Sequence, residues 1–69
     1  MKTGCIKFFN SAKGYGFITP DDGSEEMFLH ASGLKNESDK RKLQDGTRVE
    51  YEVIEGKKGL NAVNVSILN

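Results

Sequence analysis

Aromatic side chains are concentrated in one short part of this sequence, and their spacing suits them to stacking. Five of the six lie between positions 8 and 28, namely Phe8, Phe9, Tyr15, Phe17 and Phe28. Successive side chains of a strand point to opposite faces, so the run Lys13-Gly14-Tyr15-Gly16-Phe17-Ile18 is predicted to place two rings on one face. Unpaired nucleic-acid bases stack on such rings with about 1–3 kcal/mol each. The pattern therefore predicts a platform for single-stranded nucleic acid.

A second pair of rings repeats this spacing. Phe28 and His30 share one parity, while Met27 and Leu29 take the other. Aliphatic residues at the opposite parity, including Ile6 and Ile18, could fill a core without the rings. An exposed apolar patch would then mark a binding site. The alternative is that the rings themselves form the core, as most phenylalanines of small proteins do.

Other reactive residues lack partners for chemistry. His30 is the single histidine and Cys5 the single cysteine, so a catalytic pair, a metal site and an intramolecular disulfide are not expected. The acidic block from Asp21 to Glu26 does not match the spacing of a calcium loop. We therefore expect no enzyme activity and no cofactor.

Charge is balanced overall but uneven along the chain. Ten basic and ten acidic residues give a formal net charge of zero. The first twenty residues carry three lysines and no acid, and the acidic block follows directly. Positive charge is thus predicted beside the rings, with Lys7 and Lys13 as contacts to nucleic acid and Lys58 as a further candidate. The zero total predicts a shallow dependence of binding on salt.

The remaining elements follow from turn signals and alternation. Turns predicted at 10–14 and 20–24 divide the first thirty residues into three strands. Apolar and polar residues alternate in 47–55 and in 60–68, which predicts a fourth and a fifth strand. Val63, Val65 and Ile67 are expected on one side of the fifth. The segment 32–46 is predicted to be a long loop that could hold one helical turn. Closing five short strands into a barrel removes exposed edges. We expect a β-bulge near Lys7, because Ile6 should face inward and Phe8 outward although they share a parity.

Four ordered motifs resemble those of the bacterial cold-shock proteins: Gly4-Cys5-Ile6-Lys7-Phe8-Phe9-Asn10, the Lys13 run, Met27-Phe28-Leu29-His30 and Ala62-Val63-Asn64-Val65. The resemblance covers nearly the whole chain. It implies one cold-shock domain over 1–69, all-β, with the five-stranded antiparallel barrel of the oligonucleotide-binding fold. It also implies binding of single-stranded RNA and DNA with low sequence selectivity, and an RNA chaperone role in the cold-shock response.

The predicted nucleic-acid-binding residues combine both lines of argument: Lys7, Phe8, Phe9, Asn10, Lys13, Tyr15, Phe17, Phe28, His30 and Lys58. The sequence departs from the family pattern at three places. Phe8 replaces the usual Trp, Ala31 replaces a common Phe, and 35–42 carries basic residues instead of an aromatic one. Weaker stacking is expected, with phosphate contacts from the basic residues as a replacement.

Two other functional classes share features with this sequence. The Lys13 run also resembles the signature of the RNA-recognition motif, but only twelve residues precede it, which is too few for that topology. A protein-interaction module using the exposed rings remains the alternative. Without a signal peptide or an apolar stretch of membrane length, the chain is expected to be cytoplasmic and monomeric, with no membrane and no small-molecule substrate as partner.

Overall fold

The computed structural model describes residues 1–56 and 59–68. Its strands are β1 (Lys2–Asn10), β2 (Tyr15–Pro20), β3 (Met27–His30), β4 (Arg48–Gly56) and β5 (Gly59–Ile67). Two short 3-10 helices, η1 (Ala31–Gly33) and η2 (Glu37–Arg41), follow β3. The segment predicted as a loop with one helical turn therefore contains two.

The strands close into a barrel in the order β1-β2-β3-β5-β4, with β4 also paired to β1. Closure satisfies the backbone groups that an open sheet would leave at its edges. One pairing corrects the prediction of a fully antiparallel barrel: β3 and β5 run parallel, with Phe28 beside Asn61 and Leu29 beside Ala62. The helical segment and β4 lie between these two strands in sequence, so β5 returns in the direction of β3. The barrel is therefore mixed.

Aliphatic residues fill most of the core, as the parity of the strands predicts, and Tyr51 is buried among them. The buried set includes the four residues predicted from sequence and adds others from later elements: Ile6, Ile18, Met27, Leu29, Leu34, Leu43, Val49, Tyr51, Ala62 and Val65. Phe8, Tyr15, Phe17 and Phe28 are only partly buried. The alternative in which the rings form the core is wrong, apart from Phe9, which packs against it.

Two irregularities re-aim side chains. The pairing of β1 with β2 shifts between Ile6 and Phe8, which confirms the bulge predicted near Lys7. The second lies on β5, where Asn64 adopts a left-handed backbone with φ of 52° and the register with β4 shifts. Ala62 and Val65 are buried on either side of it, whereas Val63 is half-buried. The prediction that Val63, Val65 and Ile67 share one face is therefore wrong. An extra residue in β5 at the register shift reverses the alternation of side chains between Val63 and Val65.

Candidate nucleic-acid interface

Four aromatic rings form one contiguous cluster outside the core, which we call the ring face: Phe8, Tyr15, Phe17 and Phe28. Phe8 lies 5.4 Å from Phe17 and 6.1 Å from Tyr15, measured between ring centroids. Phe28 lies 5.8 Å from Phe17 and 6.2 Å from Tyr15. These separations are typical of interacting aromatic pairs, so each ring supports its neighbours. Together they offer several partly exposed π-surfaces in a row.

The register of three strands sets this arrangement. Phe17 on the central strand β2 pairs with Phe8 on β1 and with Phe28 on β3. Between the two rings of β2, Gly16 is buried, and a Cβ there would clash with the Phe8 carbonyl oxygen. A side chain would therefore separate β1 from β2. The glycine between the rings is required by this close approach of backbones.

His30 continues the ring face at the end of β3, where it pairs with Tyr15. Its Nδ1 accepts a hydrogen bond from the Ser32 backbone N–H at 3.1 Å and lies 2.9 Å from the Ser32 hydroxyl. Accepting at Nδ1 assigns the ring proton to Nε2, which is then available as a donor. His30 is exposed, and its side chain also caps η1, so the contact with Ser32 restrains its ring.

Two predicted site residues serve the architecture. Phe9 pairs with Gly16 and packs against the core, so it does not share the ring face with Phe8. Asn10 holds the turn after β1, since its Oδ1 accepts from the backbone N–H groups of Ala12 and Lys13 at 3.0 and 3.1 Å. The turn that begins at Asn10 was predicted from sequence, whereas the contact of Phe9 with the core was not.

Charges that are separate in the sequence meet in the fold. Lys7 forms an ion pair with Glu26 at 2.7 Å, and Lys2 lies 3.7 Å from Asp22. The acidic block thus partly neutralises the lysines that were expected to leave positive charge beside the rings. Lys13 is exposed and takes part in none of the ion pairs between described side chains. Lys58 lies outside the described residues.

A polar cluster crosses three elements away from the rings. Arg48 binds both carboxylate oxygens of Asp21, at 3.0 and 2.6 Å, and donates to the Cys5 sulfur at 3.7 Å. The Thr3 hydroxyl donates to Asp21 at 2.8 Å. The hydrogen bond from Thr3, followed by the contact with Arg48, lowers the pKa of Asp21. The cluster ties β4 to the turn after β2 across β1.

Sequence reasoning missed Leu60, which extends the apolar surface. A groove of about 450 Å³ runs beside Phe17 and Phe28 and is also lined by Leu60 and the acidic residues Glu25 and Glu26. Leu60 is 48% exposed and lies beside the partly exposed rings of Phe17 and Phe28, so the three form one apolar patch. The position of Leu60 directly after Gly59, at the start of the last predicted strand, was the sequence signal for its exposure. The groove therefore enlarges the surface beside the rings.

Within residues 1–56 and 59–68, no three potential metal ligands cluster together, and no helix has the length and apolarity needed to span a membrane.

Comparison with known proteins agrees with this geometry. The family model of the 'Cold-shock' DNA-binding domain matches residues 2–68. The chain belongs to the cold-shock domain family. A cold shock-like protein CspA of Stigmatella aurantiaca is 54% identical over 65 residues, which cover 94% of each chain. Cold shock-like protein CspE of Escherichia coli is 48% identical over 65 residues, covering 94% of this chain and 93% of the relative.

Solved structures support the cold-shock fold separately. The structure of drosophila Unr CSD456 superposes with a TM-score of 0.79 at 24% identity. The match covers 99% of this chain and 26% of the other, so the cold-shock domain here corresponds to about a quarter of that chain. At this identity the likeness concerns the fold alone, and the fold predicted from sequence is confirmed apart from the parallel pairing of β3 and β5.

Proposed function

We propose that this chain, as a single cold-shock domain, binds single-stranded RNA and DNA by stacking bases on the ring face. The observation that carries the proposal is the row of four neighbouring rings on the outside of a barrel whose core is already filled by aliphatic residues and Tyr51. Stacking surfaces accept every base because every base has a π face, so low sequence selectivity follows. The binding residues are Phe8, Tyr15, Phe17, Phe28 and His30, with Lys13 and Lys7 toward phosphate.

The proposed activity is binding without turnover. A duplex hides the faces of its bases, so the protein would favour open strands over hairpins by mass action, which is the basis of an RNA chaperone. Family membership supports a role in nucleic-acid binding. We propose that the protein acts in the cytoplasm and as a monomer. Lys7 must break its ion pair with Glu26 before it can contact a phosphate, so this contact adds less to the binding free energy.

The test compares Phe17→Ala with the wild-type protein. A labelled pyrimidine heptamer is titrated by fluorescence anisotropy, with the same strand annealed to its complement as a second ligand. We expect single-strand affinity to fall about tenfold or more in the variant, because one central stacking partner is lost. Ile54→Ala is the matched control, since Ile54 is 49% exposed and lies outside the ring face. It should bind as the wild type does.

The second candidate function is a protein-interaction module. The apolar groove beside Phe17 and Phe28, with Leu60 exposed in its wall, is the observation in its favour. Equal affinity for duplex and single strand, or unchanged binding by Phe17→Ala, would contradict the stacking proposal. Salt-insensitive capture of a hydrophobic or proline-rich peptide in the groove would then favour the module.

A further inference from the structure

The groove that Leu60 lines opens where two parallel strands begin to pair. Pairing of β3 with β5 starts with Phe28 beside Asn61. Residues 24–27 approach this pair on one side and Gly59 and Leu60 on the other, and both segments line the groove. Its volume of about 450 Å³ lies in the range of pockets that hold one small ligand. The groove therefore suits a few side chains and not a folded domain.

The walls of this groove combine apolar surface with carboxylates. The apolar part is supplied by Phe17, Phe28 and Leu60. Glu25 and Glu26 also line the groove, and both are exposed. Glu26 binds Lys7, whereas Glu25 takes part in none of the ion pairs among the side chains that the structure describes. A phosphate in the groove would be repelled by Glu25, so the apolar surface here is unsuited to the backbone of a nucleic acid.

An arginine side chain matches each feature of these walls. Its guanidinium is planar, stacks on aromatic rings and donates two parallel hydrogen bonds to one carboxylate. Its methylene stem packs on apolar surface such as that of Leu60. A lysine ammonium is a compact, strongly hydrated charge and gains less from a ring. The carboxylates of the groove therefore favour a positively charged ligand, and the rings favour arginine among such ligands.

We propose that the groove binds an arginine side chain from an extended, positively charged segment of another protein. The arginine would lie against Phe17 and Phe28, which also belong to the ring face. A bound partner would therefore cover part of the surface on which bases stack, and would release a bound strand. This release rests on the proposed function, whereas binding of the arginine does not.

The test titrates a labelled peptide of alternating Arg and Gly residues with the protein and follows fluorescence anisotropy. A second peptide has Lys in place of each Arg and carries the same charge. We expect the wild type to bind the arginine peptide about threefold more tightly than the lysine peptide, because the guanidinium stacks better on a ring. Glu25→Gln should weaken the arginine peptide by about threefold or more, since an exposed ion pair is lost.

Two matched controls separate the groove from the rest of the surface. Asp45→Asn also removes one exposed negative charge, from a residue that does not line the groove, and should leave peptide binding unchanged. Leu60→Ala should weaken the arginine peptide about threefold, and Ile54→Ala, which shortens a side chain of nearly equal exposure, should not. Glu25→Gln should bind the pyrimidine heptamer at least as tightly as the wild type, because a carboxylate beside the rings is gone. An unfolded variant would lose both ligands.

Equal losses in Glu25→Gln and Asp45→Asn, or equal affinity for the two peptides, would overturn the inference, because either result indicates general charge attraction. Tighter binding of an uncharged proline-rich peptide would also overturn it and would favour the second candidate function. Sedimentation of the wild type alone tests another occupant, since self-association that Leu60→Ala abolishes would assign the groove to a second copy of the chain. Failure of the wild type to bind the heptamer would instead overturn the proposed function and leave the peptide result intact.

Discussion

Tyr51 is the one aromatic residue that is fully buried, and its hydroxyl has no hydrogen-bond partner among the described residues. A buried polar group without a partner costs about 1–3 kcal/mol. Burial, with smaller contributions from the charges of Asp22 and Asp21, raises the pKa of Tyr51. The phenol therefore stays neutral in the folded protein at pH values where it ionises in the unfolded chain.

Tyr51→Phe should stabilise the protein. It removes the unpaired hydroxyl and keeps the ring, so we expect the free energy of unfolding to rise by about 1 kcal/mol at neutral pH. The gain should grow above about pH 10, where ionisation of the phenol favours the unfolded wild-type chain. Urea unfolding at several pH values measures both. The matched control is Tyr15→Phe on the ring face, for which we expect a change within about 0.5 kcal/mol. A loss of stability in Tyr51→Phe would show that the hydroxyl is satisfied.

At the scale of elements, β1 shows how one irregularity creates the interface. The bulge between Ile6 and Phe8 lets the strand bury Ile6 and still present Phe8 beside Phe17. It also turns Phe9 toward the core. A regular strand would bury Phe8 with Ile6 and break the row of rings. The bulge was predictable from the conflict of parities, whereas the fate of Phe9 was not.

The cluster of Asp21, Arg48 and Thr3 predicts a pH dependence at the same scale. Because the folded-state pKa of Asp21 lies below its unfolded value, its contribution to stability is complete above about pH 4. The contribution is lost as the pH falls through the folded-state pKa. Asp21→Asn should lower the melting temperature at neutral pH, and its difference from the wild type should narrow below about pH 4. Thermal unfolding from neutral to acid pH, followed by circular dichroism, measures this.

Thr3→Val serves as the control for this cluster, since it removes the hydroxyl that donates to Asp21. Thr3→Val should lower the melting temperature less in the Asp21→Asn background than in the wild type, because the effects of substitutions within one hydrogen-bond network are not additive. A difference between Asp21→Asn and wild type that stays constant down to acid pH would contradict the prediction.

At the scale of the molecule, the five strands enclose one core, so the barrel is expected to unfold as one cooperative unit. A protein of this length has a total stability of about 3–10 kcal/mol. Leu29→Ala should remove about 2–5 kcal/mol of it, because Leu29 is fully buried in the strand that pairs with both β2 and β5.

Far-UV circular dichroism and tyrosine fluorescence should report the same shifted transition in Leu29→Ala. Ile54→Ala removes an exposed side chain and should change stability little. Two separate transitions in either protein would contradict a single domain.

Much of the interface was determined by the sequence itself. Strand parity placed Tyr15 with Phe17 and Phe28 with His30, and it assigned the aliphatic residues to the core, because the period of two in a strand is a local property. Turn residues in the same way predicted the meander of the first three strands. The shared parity of Ile6 and Phe8 predicted the bulge near Lys7. The motifs then indicated the family.

Tertiary structure alone decided what depends on contacts between distant residues. The closure of the barrel makes β3 and β5 run parallel, and it reverses the inward and outward alternation of β5 at Asn64. The local alternation of residues does not encode either feature. The ion pair of Lys7 with Glu26 forms because β1 and β3 both pair with β2, which brings together charges separated by nineteen positions. Local patterns therefore determined which rings face outward. The three-dimensional approach of strands decided which charges remain to hold a polyanion beside them.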